Sequence, residues 1–206
     1  MLVLALGLIA VVSPLLVGRW PAGLLLHQWR WKSLIWVALI VQSVVLNVTL
    51  PGVLAPATHV LTYVAALGFA WVNRRAAGVW IVAAGAFSNG ITIALNGGTL
   101  PASASAAEAA GIEQSGDFAN SAVLDNPVLP WLGDIFAWPA PMPLANTFSV
   151  GDILIVLGVF VAAWSGTRRL GDASTPSAAP VAQRVPEVAP PTVWYPEPLR
   201  SDAERP

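Results

Sequence analysis

Five stretches of this chain are so apolar and so poor in charge that each must be kept from water: about residues 2–17, 33–50, 57–72, 78–95 and 150–165. A helix crosses a hydrocarbon core of about 30 Å with roughly 20 residues, and it satisfies its own backbone polar groups on the way. Runs of this length and composition predict transmembrane helices. Pro14 interrupts the first and kinks it unless neighbours take up the freed carbonyl. No positive n-region precedes that run and no A-x-A site follows it, so a cleaved signal peptide is the poorer reading. The second run stops at Pro51 and Gly52, and only "NRRAA" separates the third from the fourth, which makes those two an antiparallel hairpin. Composition agrees: 56% of residues are hydrophobic, 10% are charged and the mean hydropathy is +0.67, outside the balance of a soluble domain. The expectation is an all-α integral membrane protein with five transmembrane helices.

The cations orient it, because Lys and Arg near helix ends are retained on the cytoplasmic side. Arg19, Arg30 and Lys32 follow the first run, Arg74 and Arg75 the third, Arg168 and Arg169 the fifth. Residues 96–149 hold acids and no Lys or Arg. The predicted topology is therefore N-terminus out and C-terminus in, with 96–149 an extracytoplasmic loop. Trp20, Trp29, Trp31, Trp36, Trp71, Trp80 and Trp164 fall near the inner ends, the level that indole rings prefer. Trp131 and Trp138 lie in the outer loop, where "LPWLGDIFAWPAPMPL" is too apolar for a solvated linker and is expected to rest on the bundle or in the interface.

Several functions fall away. A net charge of −1 gives no field to hold nucleic acid, and the lack of Cys removes thiol chemistry. No Asp, Glu, Lys or Arg sits in the middle of any run, which argues against an ion pump. His27 and His59 lie at opposite ends of the predicted bundle, so they cannot share a haem. Without a Gly-rich phosphate loop, a G-x-S-x-G elbow or an H-E-x-x-H pair, no catalytic residue, metal or cofactor is assigned. Residues 170–206 are rich in Pro, Ala, Ser and charge, and are expected to form a disordered cytoplasmic tail. Within it, Trp194 and Tyr195 among prolines could dock on a cytoplasmic partner.

Polar residues inside apolar runs are costly in lipid and face the bundle interior. Gln42, Ser43, Asn47 and Thr49 lie in the second run. His59, Thr62 and Tyr63 share a helical face in the third, and Asn89, Thr92 and Asn96 share one in the fourth. "SVGD", Ser149 to Asp152, fits a capping box, and Asp134 follows Gly133 in a turn. Asn47, His59, Tyr63, Asn89, Thr92, Asn96, Asp134 and Asp152 make a candidate outward-facing polar pocket. Helix-to-helix bonding by the same groups is the other reading. Gly85, Ala86 and Gly90 make the fourth helix the expected packing centre.

"NGGTLP", "LGD" and "SVGD" together resemble a domain-of-unknown-function family of small bacterial multi-pass membrane proteins, with NGG-x-x-P, LGD and S-x-G-D motifs. The resemblance covers roughly Met1 to Arg169 and falls on Asn89, Asn96, Gly97, Gly98, Pro101, Gly133, Asp134, Ser149, Gly151 and Asp152. This chain has Thr99 and Leu100 where the family more often has a basic residue and Met. The resemblance implies a multi-pass protein of the bacterial plasma membrane and supplies no activity.

The leading expectation is a non-catalytic accessory, assembly or structural component that contacts membrane lipid and other membrane proteins. One alternative is small-molecule or lipid binding or transport through the polar pocket. Another is a membrane enzyme using Asp134 and Asp152.

Overall fold

The structure is a computed structural model describing residues 2–47, 53–112 and 121–170, with the side chains of 45–47 left out of the description. Thr49 and the 171–206 segment, including Trp194 and Tyr195, lie outside the described residues.

Each apolar run is helical over most of its described residues. The first is α1 (Leu2–Val12) followed by a 3-10 turn, Ser13–Val17. Pro14 has no N–H to continue the α ladder, and Ser13 Oγ instead donates back to Ala10 O at 2.8 Å. Next come β1 (Arg19–Trp20), the short α2 (Ala22–Leu25), α3 (Lys32–Asn47), α4 (Leu54–Val72) and α5 (Val79–Leu95). The connection to the last long helix carries β2 (Leu100–Pro101), α6 (Ala104–Ala109), β3 (Ser121–Ala122), β4 (Phe136–Trp138) and β5 (Asn146–Phe148). Helix α7 (Val150–Trp164) and β6 (Arg168–Arg169) follow. Among the described residues α4 alone is long and apolar enough to cross a membrane by length and composition; the apolar segments 2–17, 32–44, 79–95 and 150–164 are shorter.

The expectation of an all-α chain needs correction, because three two-stranded pairings hold the helix connections. β1 pairs antiparallel with β6, β2 parallel with β3, and β4 antiparallel with β5. These strands are two or three residues long, too short for a period of two to show in sequence.

Long helices consecutive in the chain alternate in direction. Thr62 Oγ1 donates to Gln42 Oε1 at 2.9 Å while Asn73 meets Arg30, so α3 and α4 are antiparallel. Gly90 packs on Tyr63 and Gly98 meets His59, so α4 and α5 are antiparallel too. Helix α5 meets α7 through two glycine pairs in one antiparallel register, Gly78 with Gly158 and Gly85 with Gly151. A Cβ on any of the four would run into the facing helix, which is the close approach that small residues permit. Helix α5 thus packs on both α4 and α7, as its small residues predict. Helix α1 runs parallel to α7, with Trp164 Nε1 donating to Ser13 Oγ at 2.9 Å.

This alternation gathers the described Lys and Arg residues at one end, joined there by the β1–β6 pairing, while the described parts of the 96–149 loop lie at the other. The helices turn large apolar side chains outward: Leu4, Leu8, Ile40 and Leu61 are all more than 60% exposed. Buried positions include His59, Asn89, Thr92 and Ser149, each at 1% exposure or less.

Gly85→Ala is expected to destabilise the protein by about 1 to 3 kcal/mol, because the added methyl meets the Gly151 carbonyl and Ile155. Thermal unfolding in a mild detergent measures it. An unchanged melting temperature would mean that α5 and α7 do not approach this closely.

Candidate functional site

The loop end of the bundle is built around the start of α7. Ser149 is the N-cap, and its Oγ accepts from Asp152 N at 3.0 Å while Asp152 Oδ2 accepts from Ser149 N at 3.0 Å. This is the capping box expected from "SVGD". Its second use is across helices. Ser149 Oγ donates to Asn89 Oδ1 at 2.9 Å, and Asn89 Nδ2 donates to Asp152 Oδ1 at 2.9 Å. Both oxygens of Asp152 are therefore occupied, and the Asn89 amide is oriented by what faces it: hydroxyl hydrogen at its oxygen, carboxylate at its nitrogen. Gly151 makes room, since a Cβ there would strike Asn89 Oδ1. The Tyr63 hydroxyl also faces the Asn89 side chain.

The C-terminus of α5 explains "NGG". Asn96 caps the helix, Gly97 takes the left-handed conformation at φ 69, and Gly98 N returns to Ile93 O at 2.8 Å, the six-to-one bond of a Schellman turn. Gly98 presses against Pro56 of α4, and its carbonyl lies 2.7 Å from His59 Nδ1. A carbonyl can only accept, so Nδ1 carries the hydrogen. Thr92 Oγ1 donates to Ser88 O within its own helix. Asn96 reaches the loop instead: its Nδ2 donates to Val128 O at 2.8 Å and its Oδ1 accepts from Val128 N at 2.8 Å.

Asp134 is different. It is 4% exposed, Thr147 Oγ1 donates to its Oδ2 at 3.2 Å, and Oδ1 has no hydrogen-bond partner. Ser121 Oγ, close enough to favour the charge, lacks hydrogen-bonding geometry as well. Desolvation raises the carboxyl to about 6, and the Asp152 charge adds to it; Ser121 and Thr147 pull the other way. The backbone is anchored: Asp134 N donates to Pro101 O at 2.8 Å, and Ser103 N donates to Asp134 O at 3.0 Å.

The structure thus brings Tyr63, Asn89 and Asp152 together and places Asp134 within electrostatic reach of Asp152. His59, Thr92 and Asn96 are tied to backbone carbonyls and amides nearby. The side chain of Asn47 lies outside the described residues. Sequence reasoning passed over Asn73, which does at the arginine end what Asn96 does at the loop end. It caps α4, accepts from Arg30 N at 2.9 Å and donates to Arg30 O at 2.9 Å. The common signal is an Asn immediately after the last helical residue. An apolar groove of about 410 Å³ lies between α1 and α7, walled by Leu6, Ile9, Val156 and Phe160, with Asp152 also in its lining. No group of three His, Cys, Asp or Glu able to hold a metal occurs among the described residues.

Fold and site define a class: a mostly helical bundle of apolar helices whose loop end is tied off by buried amide, hydroxyl and carboxylate groups. Residues 27–164 match the model described as "Family of unknown function (DUF5317)", and the chain belongs to that family. A Thermotoga maritima protein described as "Uncharacterized protein" is 32% identical over 111 residues, 53% of this chain and 61% of that relative. The chain thus spans about three-fifths of that relative's length. No solved structure matches.

The native state holds a proton on Asp134 more tightly than the unfolded chain, whose carboxyl titrates near 3.8. Stability is then greatest below that value and falls by up to about 3 kcal/mol as pH rises to about 6, staying level above. Asp134→Asn is expected to remove this dependence while keeping an acceptor for Thr147. Melting curves between pH 4 and 8 check it, and an unchanged pH profile in the variant would contradict it.

Proposed function

We propose that the chain is a five-span, multi-pass protein of the bacterial plasma membrane, N-terminus out and arginine end in the cytoplasm, acting as a non-catalytic accessory or structural component. The observation that carries this reading is where the buried polar groups spend their bonds. Asn89, Ser149 and Asp152 satisfy one another, and Asn96 is committed to the Val128 backbone. That use supports a bundle lock over a polar ligand pocket. With both its oxygens bonded inside the protein, Asp152 is poorly placed to act as acid, base or nucleophile beside Asp134. The outward apolar faces suit lipid and neighbouring membrane helices. Local thinning of the bilayer accommodates the shorter helices.

A second reading is favoured by the α1–α7 groove. Its apolar walls, with Asp152 also in the lining, suit an amphiphile with an apolar chain and a hydrogen-bond donor at its head.

The chain has no Cys, so single engineered cysteines report topology directly. Asp125→Cys is expected to react with an impermeant maleimide added outside cells, and Ala77→Cys only after lysis. The reverse pattern would sink the orientation. A photo-crosslinking residue replacing Ile40 on the outward face of α3 is expected to give one discrete adduct with another membrane protein in cells. Labelling of lipid alone would remove the accessory reading.

A further inference from the structure

We infer that the arginine end carries a binding site for a phosphate group, formed by Arg75, His27 and Ser165 around a small cavity. The site rests on the membrane reading only for the source of its ligand. The cavity, about 190 Å³, lies where α2, the α4–α5 turn and the end of α7 converge. Liquid water takes about 30 Å³ per molecule, so the space holds a phosphate group and a few waters. Its wall combines Arg75, His27, Trp29 and Ser165 with the small residues Gly23 and Ala77, and includes no acid among the described residues.

Charge decides what can enter. The sequence contains no Asp or Glu before Glu108, so Arg19, Arg30, Lys32, Arg74 and Arg75 have no acidic residue in their own part of the chain. Two of the arginines are already committed: Arg19 Nε donates to Thr167 Oγ1 at 2.8 Å, and Arg74 donates to Trp71 O at 3.0 Å while its guanidinium sits 4.9 Å over the Trp71 ring. Arg75 lines the cavity and has no acceptor among the described residues. A guanidinium fork pairs with two phosphate oxygens at once, which is its strongest use. His27 lies edge-on to Trp29 at 4.5 Å, and Trp29 Nε1 is fixed to Leu24 O at 3.0 Å, so that part of the wall is held in place. Indole beside arginine is also the chemistry of a membrane at headgroup depth.

The phosphate can belong to an anionic lipid or be free in solution, and one binding experiment separates the two. Full-length protein in a neutral detergent is titrated with phosphatidylglycerol, with diacylglycerol of the same chains, or with inorganic phosphate, and native mass spectrometry counts bound molecules. Phosphatidylglycerol is expected to bind in preference to diacylglycerol, and Arg75→Gln to weaken it about tenfold, the loss of roughly one charged hydrogen bond. Arg75→Lys is expected to recover part of that loss, and Arg169→Gln, outside the cavity, to leave binding unchanged. Competition by inorganic phosphate, with the same dependence on Arg75, would support the site and assign it to a soluble ligand. Equal binding of diacylglycerol, or equal losses in the Arg75 and Arg169 variants at unchanged helicity, would overturn it. Because the titration is done in detergent, an inverted topology in the cysteine experiment leaves its outcome untouched.

Discussion

Everything at the loop end depends on the ring of four hydrogen bonds joining Asn89 to the first turn of α7. Ser149 and Asp152 would cap α7 in any surroundings. What makes them architectural is the third partner, an amide on the facing helix that reads hydroxyl and carboxylate together. In water such bonds are worth little net, because solvent competes. In an apolar interior each contact of this kind between helices contributes about 0.6 to 2 kcal/mol, and leaving any one group unpaired costs more than the bond contributes. The ring fixes the depth of α5 against α7. The glycine pairs at Gly85 and Gly151, then Gly78 and Gly158, continue the same register down the interface. Hydrogen bonds set the register and small residues permit the approach; neither suffices alone.

The two ends of the bundle are closed by the same device. Asn73 after α4 and Asn96 after α5 each bond to both backbone groups of a single distant residue, Arg30 and Val128. An Asn used this way imitates one rung of a β-ladder, and it lets a helix end hold a neighbouring connection without a strand. At the loop end the held segment leads on to Asp134, a buried carboxylate with an unbonded oxygen. At the arginine end it positions the segment that carries His27 and Trp29 beside the α4–α5 turn. Among the described residues charge is sorted by end: the carboxylates Asp134 and Asp152 are held at the loop end, and Arg75 lines the cavity at the other.

How much of this the sequence disclosed follows from the range of each interaction. The apolar runs, the hairpin of α4 and α5, the capping box at Ser149 and the packing role of α5 are local or periodic, and local patterns survive in a sequence. Membership of the family was readable from the NGG, LGD and SVGD stretches. The ring was not, because Asn89 and Ser149 are sixty residues apart and nothing local ties a helix-centre Asn to a particular cap. For the same reason a pocket and a lock looked alike on paper: both need polar groups at one depth, and only the partners distinguish them. The short strands escaped because two or three residues carry no readable period, and some are fixed by a distant segment, as with Arg19–Trp20 against Arg168–Arg169. Asn73 was hidden by its neighbours, since in "NRR" the arginines draw the eye to charge and away from the amide.

The central claim is that the buried polar groups hold the protein to itself. A double-mutant cycle on Asn89→Ala and Asp152→Ala, read by thermal unfolding in detergent, tests it most directly. The account predicts that each single change destabilises, and that the two together cost less than their sum by about 1 kcal/mol or more, because either one already breaks the ring. Strict additivity, or single variants as stable as the parent, would contradict it.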